Sequence, residues 1–290
     1  MSLTDQEILE TMRMFELETL DVRTTTLGIS LYDCADPDLE STAEKIYAKV
    51  VHHARELVAT AESITRDYGI AIVNRRIAVT PIAWIAAASG AQDLVPLARA
   101  LDAAAEEVGV DFIGGFSTYV YKGCTRADQA LLDSIPRALA ETEHVCASVA
   151  LASTRAGINM DAVGRFAELV QEAAQLTADR GGLACAKLVC FCNAVEDNPF
   201  VAGAHLGVGE PETVLNVGVS GPGVVRSALA RLGPEAGPTA LTKPHVKEFD
   251  ITGRAMKGWV LIEPDGMESD GQLGDWIEQA SAFVATLPPK

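Results

Sequence analysis

Six short runs of apolar and β-branched residues constrain this chain more than any other feature. They fall at residues 21–31 (DVRTTTLGISL), 70–79 (IAIVNRRIAV), 110–113, 145–151, 183–191 and 214–219. Stretches of helical periodicity separate most of them, at residues 39–68, 93–108, 127–142 and 160–178. The runs are nearly continuous in apolar character, without in–out alternation. Strands of that kind are buried on both faces, so the pattern predicts an α/β fold with a parallel sheet covered by helices on both faces, or a barrel. Residues 2–15 open a short helix, with Ile8, Leu9, Met12 and Phe15 at helical spacing.

Bulk properties exclude several classes. Hydrophobic residues make up 48% of the 290, enough for a sizeable core. The formal net charge of -17 opposes nonspecific binding to nucleic acid or to anionic membrane, since both depend on Lys and Arg. No apolar run reaches the length of a membrane span, and the acidic amphipathic start MSLTDQEILETMRMFE is not a secretory signal. Six unevenly spaced cysteines do not form a disulfide framework. A cytoplasmic protein with reduced thiols is the expectation.

Polar residues gather between residues 192 and 225, CNAVEDNPFVAGAHLGVGEPETVLNVGVSGPGVV. Open α/β sheets place their sites at the carboxyl ends of strands. Glu196 and His205 are the expected proton-transferring pair, because a carboxylate and an imidazole can move protons at neutral pH. Asn193, Asn198, Glu210, Asn216, Ser220 and Gly221 are expected to bind a ligand, joined by Asp33 from the first strand end and Arg23 from the strand itself. The bland reading of the Asp and Asn residues is turn capping. Ser220-Gly221-Pro222-Gly223 offers backbone amides to an anion, yet lacks a dinucleotide fingerprint or a Walker spacing, so a plain tight turn competes. Arg75 and Arg76 need a carboxylate or an anionic ligand, with Asp33, Asp111 and Glu196 as the structural partners. Cys185, Cys190 and Cys192 have poor metal spacing and read as buried inert thiols. Cys34 and Cys146 lie near strand ends and are the better nucleophile candidates, without an identifiable base. Neither a metal nor a cofactor is assigned.

Several long stretches carry a resemblance: DVRTTTLGISLYDC, VNRRIAVTPI, GVDFIGGFS, SIPRALAETEHVCASV, AGINMDAV and NAVEDNPFVAGAHLGVGEPETVLNVGVSGPGVV. Through about residue 230 the chain resembles the pyruvate formate-lyase-like family of uncharacterised microbial proteins (UPF0210, domain of unknown function 711). The resemblance implies the amino half of a ten-stranded α/β barrel of the glycyl-radical-enzyme type. RLGPEA, KPHVKEFDITGRAMKGW and FVATLPPK resemble the carboxyl half of the TfoX N-terminal domain. Residues 1–232 and 233–290 are therefore expected as two domains, met at the turn-rich GPEAGP. Half a barrel leaves a sheet face uncovered, which invites a loosely packed tail or a homodimer. A small anionic metabolite with acid–base or lyase-type chemistry is the leading expectation. A non-enzymatic ligand-sensing protein and a non-functional truncated fusion stand as alternatives.

Overall fold

The computed structural model describes residues 22–195, 198–199, 203–209, 211–219, 246–248 and 260–262. The chain divides into two units, Val22–Val219 and a second formed by Met1–Asp21 with Ser220–Lys290. The expected boundary at residues 232 and 233 lies outside the described residues. In the second unit, strands β8 (Val246–Glu248) and β9 (Val260–Ile262) form an antiparallel pair.

The first unit runs β1 (Val22–Ile29), α1 (Leu39–Ala54), α2 (Leu57–Tyr68), β2 (Asn74–Val79), α3 (Ile82–Ala86), α4 (Val95–Val108), β3 (Phe112–Tyr119) and α5 (Arg126–Glu141). It continues with β4 (Val145–Ser153), β5 (Gly157–Ile158), α6 (Met160–Leu176), α7 (Leu183–Ala186), β6 (Leu188–Cys192) and β7 (Thr213–Val219). Strands β1, β2, β3, β4 and β6 pair as parallel neighbours in chain order. Each right-handed crossover then steps the same way, which places the helices on one face. That face holds the core: Ile29, Ile77, Val79, Ile113, Phe116, Val145, Val149 and Leu151 pack against Ile46, Val50, Leu97, Leu101, Ile135 and Leu139. Burying each such side chain contributes ~1.5–3 kcal/mol. Helix starts are fixed by Asp38, which accepts from Ser41 N, and by a Thr125–Asp128 capping box. Buried Asp128 also accepts a hydrogen bond from Thr118 Oγ1, tying α5 to β3.

The parallel α/β expectation holds with corrections. β7 pairs with β1 antiparallel. The connection from β6 to β7 contains no crossover helix among its described residues, and it reaches β1 at the carboxyl end, where Ser30 N donates to Glu212 O. A strand entering from that end must run antiparallel. The sheet is open among the described residues, with β6 and β7 each paired on one side only. The single helix over 39–68 is two, broken at Arg55 and Glu56. The segment 183–191 begins as α7, because Gly181 and Gly182 adopt positive φ and Thr177 Oγ1 accepts from Ala184 N.

Helices were expected on both faces, yet among the described residues the opposite sheet face carries none, because crossovers that all step the same way put their helices on one side. Rows of residues on it follow from the register, and one row is Gly28, Ala78 and Gly114. These small residues form a trough for the segment around Asn198–Leu206. A Cβ on Gly114 would lie 2.3 Å from Ala204 O, and one on Gly28 would lie 2.9 Å from Leu206 Cδ1. Asn198 and His205 close the segment as an antiparallel bridge with bonds of 2.9 and 2.8 Å. Leu206 N donates to Val79 O at 3.0 Å, and Thr26 Oγ1 donates to Pro199 O at 3.4 Å.

Strand β3 contains one extra residue relative to β4. Ile113 pairs with Val145, yet Phe116 pairs with Ala147. The bulge lies at Gly114-Gly115, with Gly115 at φ 115°. An extra residue reverses which side chains face which way beyond it. Phe116 therefore faces the helices and Tyr119 faces the helix-free side. Gly115→Ala would place a Cβ 2.4 Å from Val79 Cγ2 at a positive φ. It should destabilise the unit by on the order of 3 kcal/mol, read by urea unfolding, with Gly164→Ala on open helix surface as the neutral control.

Candidate functional site

The bulge and the trough together build one buried polar pair. His205 is 1% exposed. Its Nδ1 lies 2.9 Å from Gly203 O, which accepts a hydrogen bond and so fixes the Nδ1–H tautomer. Nε2 is then the acceptor for the Tyr119 hydroxyl. The ring also meets Tyr119 edge-on at 5.3 Å and Phe191 at 6.4 Å. Tyr119 in turn packs edge-on against Trp84 at 5.2 Å and lies 5.9 Å from Tyr121.

Tyr121 opens onto a cleft of about 480 Å³ at the carboxyl ends of β3 and β4. Lys122, Gln129, Asn159, Asp161 and Arg165 line it. Lys122 sits 5.7 Å from the Tyr121 ring centroid, a cation–π distance. Arg165 is engaged by Asp133, Glu168 and Glu172 at 2.9–3.0 Å. These three hydrogen-bonded carboxylates outweigh burial and raise its pKa.

The residues expected from sequence do not all converge. Asn198 and His205 meet in one bridge. Asn193 is a turn residue at φ 55°, exchanging bonds of 2.7 Å with Thr154 N and Oγ1 beside the β6 edge. Asp33 lies at the carboxyl end of β1 and accepts from Lys49 at 2.6 Å. Lys49 also reaches Glu212 at 2.7 Å, so Lys49 ties α1 both to the end of β1 and to the entry of β7. That hydrogen bond holds the Asp33 carboxyl below the usual range. Asn216 lies mid-strand on β7, opposite Thr26. Arg23 is exposed near the amino end of β1, at the irregularity between Val22 and Thr24, and far along the strand from the Asn198–His205 bridge. Glu196, Glu210, Ser220 and Gly221 lie outside the described residues.

Sequence reasoning missed Tyr119. A tyrosine closing an apolar strand is a weak signal, and its facing depends on a bulge that periodicity does not reveal. The cysteines also reverse. Cys190 and Cys192 are exposed, not buried. Cys34 and Cys146 are buried, and burial pushes both thiols up to about 11, which disfavours the nucleophilic thiolate. Among the described residues no cluster of three His, Cys, Asp or Glu could hold a metal ion, and no helix is long and apolar enough to cross a membrane.

Comparison with known proteins follows this geometry. The family model described as "Uncharacterised ACR (DUF711)" matches residues 13–253. The chain belongs to the DUF711 family. The match continues past residue 232 into the segment expected to be TfoX-like. A UPF0210 protein of Listeria monocytogenes serovar 1/2a is 59% identical over 248 residues, covering 85% of this chain and 54% of the relative. One from Ruminiclostridium cellulolyticum is 58% identical over 226 residues, covering 78% and 50%. One from Halothermothrix orenii is 53% identical over 250 residues, covering 86% and 55%. The chain spans about half the length of the curated relatives it matches.

Two outcomes test the site. Iodoacetamide at pH 8 should label Cys190 and Cys192 in the folded chain, and Cys34 and Cys146 only after denaturation, read by peptide mass mapping. Tyr119→Phe removes the hydroxyl that His205 accepts and should cost about 1–3 kcal/mol in urea unfolding. A cost near zero would mean that the pair does not form in solution.

Proposed function

We propose that this chain binds a small anionic metabolite at the carboxyl ends of its strands, in the cleft beside Tyr121, and handles protons there through Tyr119 and His205. The observation that carries this reading is the buried imidazole with its tautomer set by Gly203 O and its Nε2 against a tyrosine hydroxyl. A phenol and an imidazole in contact can pass a proton at neutral pH, which is the requirement of acid–base or lyase-type chemistry. Lys122 supplies the cleft's cation, since Arg165 is already shared by three carboxylates. Glu196 belongs to the same proposal as a second proton-transferring group.

The architecture proposed with it is the amino half of a pyruvate formate-lyase-like barrel. Sequential parallel strands with one helix-free face favour that relation, because a barrel interior needs such a face. The tail is proposed as TfoX-like and the setting as cytoplasmic.

The test is a thermal-shift panel of small carboxylates and phosphates on the full chain. At least one should raise the unfolding midpoint, and Lys122→Ala should remove that rise. A bound carboxylate should then exchange its α-hydrogen with deuterated water, followed by NMR, with exchange lost in Tyr119→Phe, His205→Gln and Glu196→Ala. A panel without any shift ends the reading; binding without exchange in the native chain would leave a ligand sensor in place of an enzyme.

A further inference from the structure

A second polar constellation lies on the helix-free face, toward the amino ends of the strands. It is independent of the cleft and of the Tyr119–His205 pair. The register fixes it. Thr24 on β1 pairs with Asn74 on β2 and with Gly218 on β7. Two residues further along, Thr26 pairs with Arg76 and with Asn216. Thr24, Asn74, Arg76 and Asn216 therefore share one face. Arg76 and Asn216 flank Thr24 on its two diagonals, which places them ~7–8 Å from it, within reach of long side chains.

Each of these side chains is half-buried, and none makes a side-chain hydrogen bond to another described residue. Thr26, by contrast, is 1% exposed beneath Pro199, so the segment above it bounds the patch on the carboxyl side. Gly218 adds no side chain, and the Thr24 side chain packs over it, 3.1 Å from where a Cβ would be.

Arg76 is the unusual member. Its Nε is buried without a hydrogen-bond partner, and the guanidinium has no ion pair among the described residues. The chain holds 40 Asp and Glu against 23 Lys and Arg, so a carboxylate partner is statistically cheap. The nearby carboxylate, Asp111, is committed to Arg75: it accepts from Arg75 N at 2.7 Å and pairs with Arg75 Nη2 at 3.6 Å. The other nearby titratable group is the Cys146 thiol, which is buried and protonated. A desolvated guanidinium left without an anion is costly, and three neutral donors share its face of the sheet: Asn74 on its own strand, Thr24 on the next, and Asn216 across Thr26.

We propose that Arg76, with Thr24, Asn74 and Asn216, binds a small oxyanion, a carboxylate or phosphate group, on the helix-free face of the sheet. The guanidinium fork matches two oxygens, and the two amides and the hydroxyl supply the remaining donors.

The experiment is calorimetric titration of the full chain with inorganic phosphate, sulfate and acetate at low ionic strength. In parallel, phenylglyoxal modification of each arginine is followed by peptide mass mapping. Saturable binding is expected, with modification of Arg76 slowed by about tenfold or more and exposed Arg23 and Arg155 unprotected. Arg76→Gln and Asn216→Ala should each weaken binding by about tenfold or more, while Lys122→Ala leaves it unchanged, which separates this site from the cleft. The tighter of phosphate and acetate names the ligand group. Absence of saturable binding, or an Arg76 modified equally fast with and without every anion, overturns the proposal. So does binding that survives in Asn216→Ala, which decides the matter even if Arg76→Gln fails to fold.

Discussion

The close approach of the Asn198–Leu206 segment to the sheet is the constraint on which the rest depends. Ala204 O lies where a Cβ on Gly114 would be, so the two backbones meet with nothing between them. That contact requires small residues in register on three adjacent strands, and Gly28, Ala78 and Gly114 supply them. Held at that depth, its described residues bond through Asn198 and His205 to each other, donate from Leu206 to the end of β2, and deliver His205 to Tyr119. A methyl group in the trough would lift the last two interactions together.

The same packing divides the helix-free face in two. Above the Thr26–Pro199 bond lie the buried imidazole and its aromatic neighbours. Level with Thr26 and below it lie Arg76, Asn216, Thr24 and Asn74, which make no side-chain hydrogen bond to a described residue of the segment. The helix-bearing face offers no such contrast: its alternating Ile, Val and Leu form a continuous core, and its ion pairs, such as Lys49 between Asp33 and Glu212, hold elements together at the rim.

Much of the fold was legible from periodicity. Apolar runs marked β1, β2 and β4 to within four residues and β3 only at its start, because the face toward the helices must be apolar while the glycines and polar residues of β3 break the run. Asn198 and His205 were legible as polar residues after a strand. The break at Arg55 was not, because HHARELVATA is helix-compatible along its length and only packing decides where α1 ends. Asn193 and Asp33 were legible as polar but not in their roles, which a turn at positive φ and a lysine sixteen residues away determined. Exposed Cys190 and Cys192 were misread because an edge strand has the composition of a central one.

By itself the amino-acid order determined the class of fold, the sequence of its elements, its acidity, and the family to which the chain belongs, because these follow from local composition and period. Only the tertiary structure decided the face on which each side chain acts. One inserted residue at Gly114-Gly115 turns Tyr119 toward His205. The register of β7 against β1 places Asn216 in one row with Arg76, across Thr26. Both depend on pairing between segments distant in the chain, and no local pattern encodes which residue of one strand lies opposite which residue of the next.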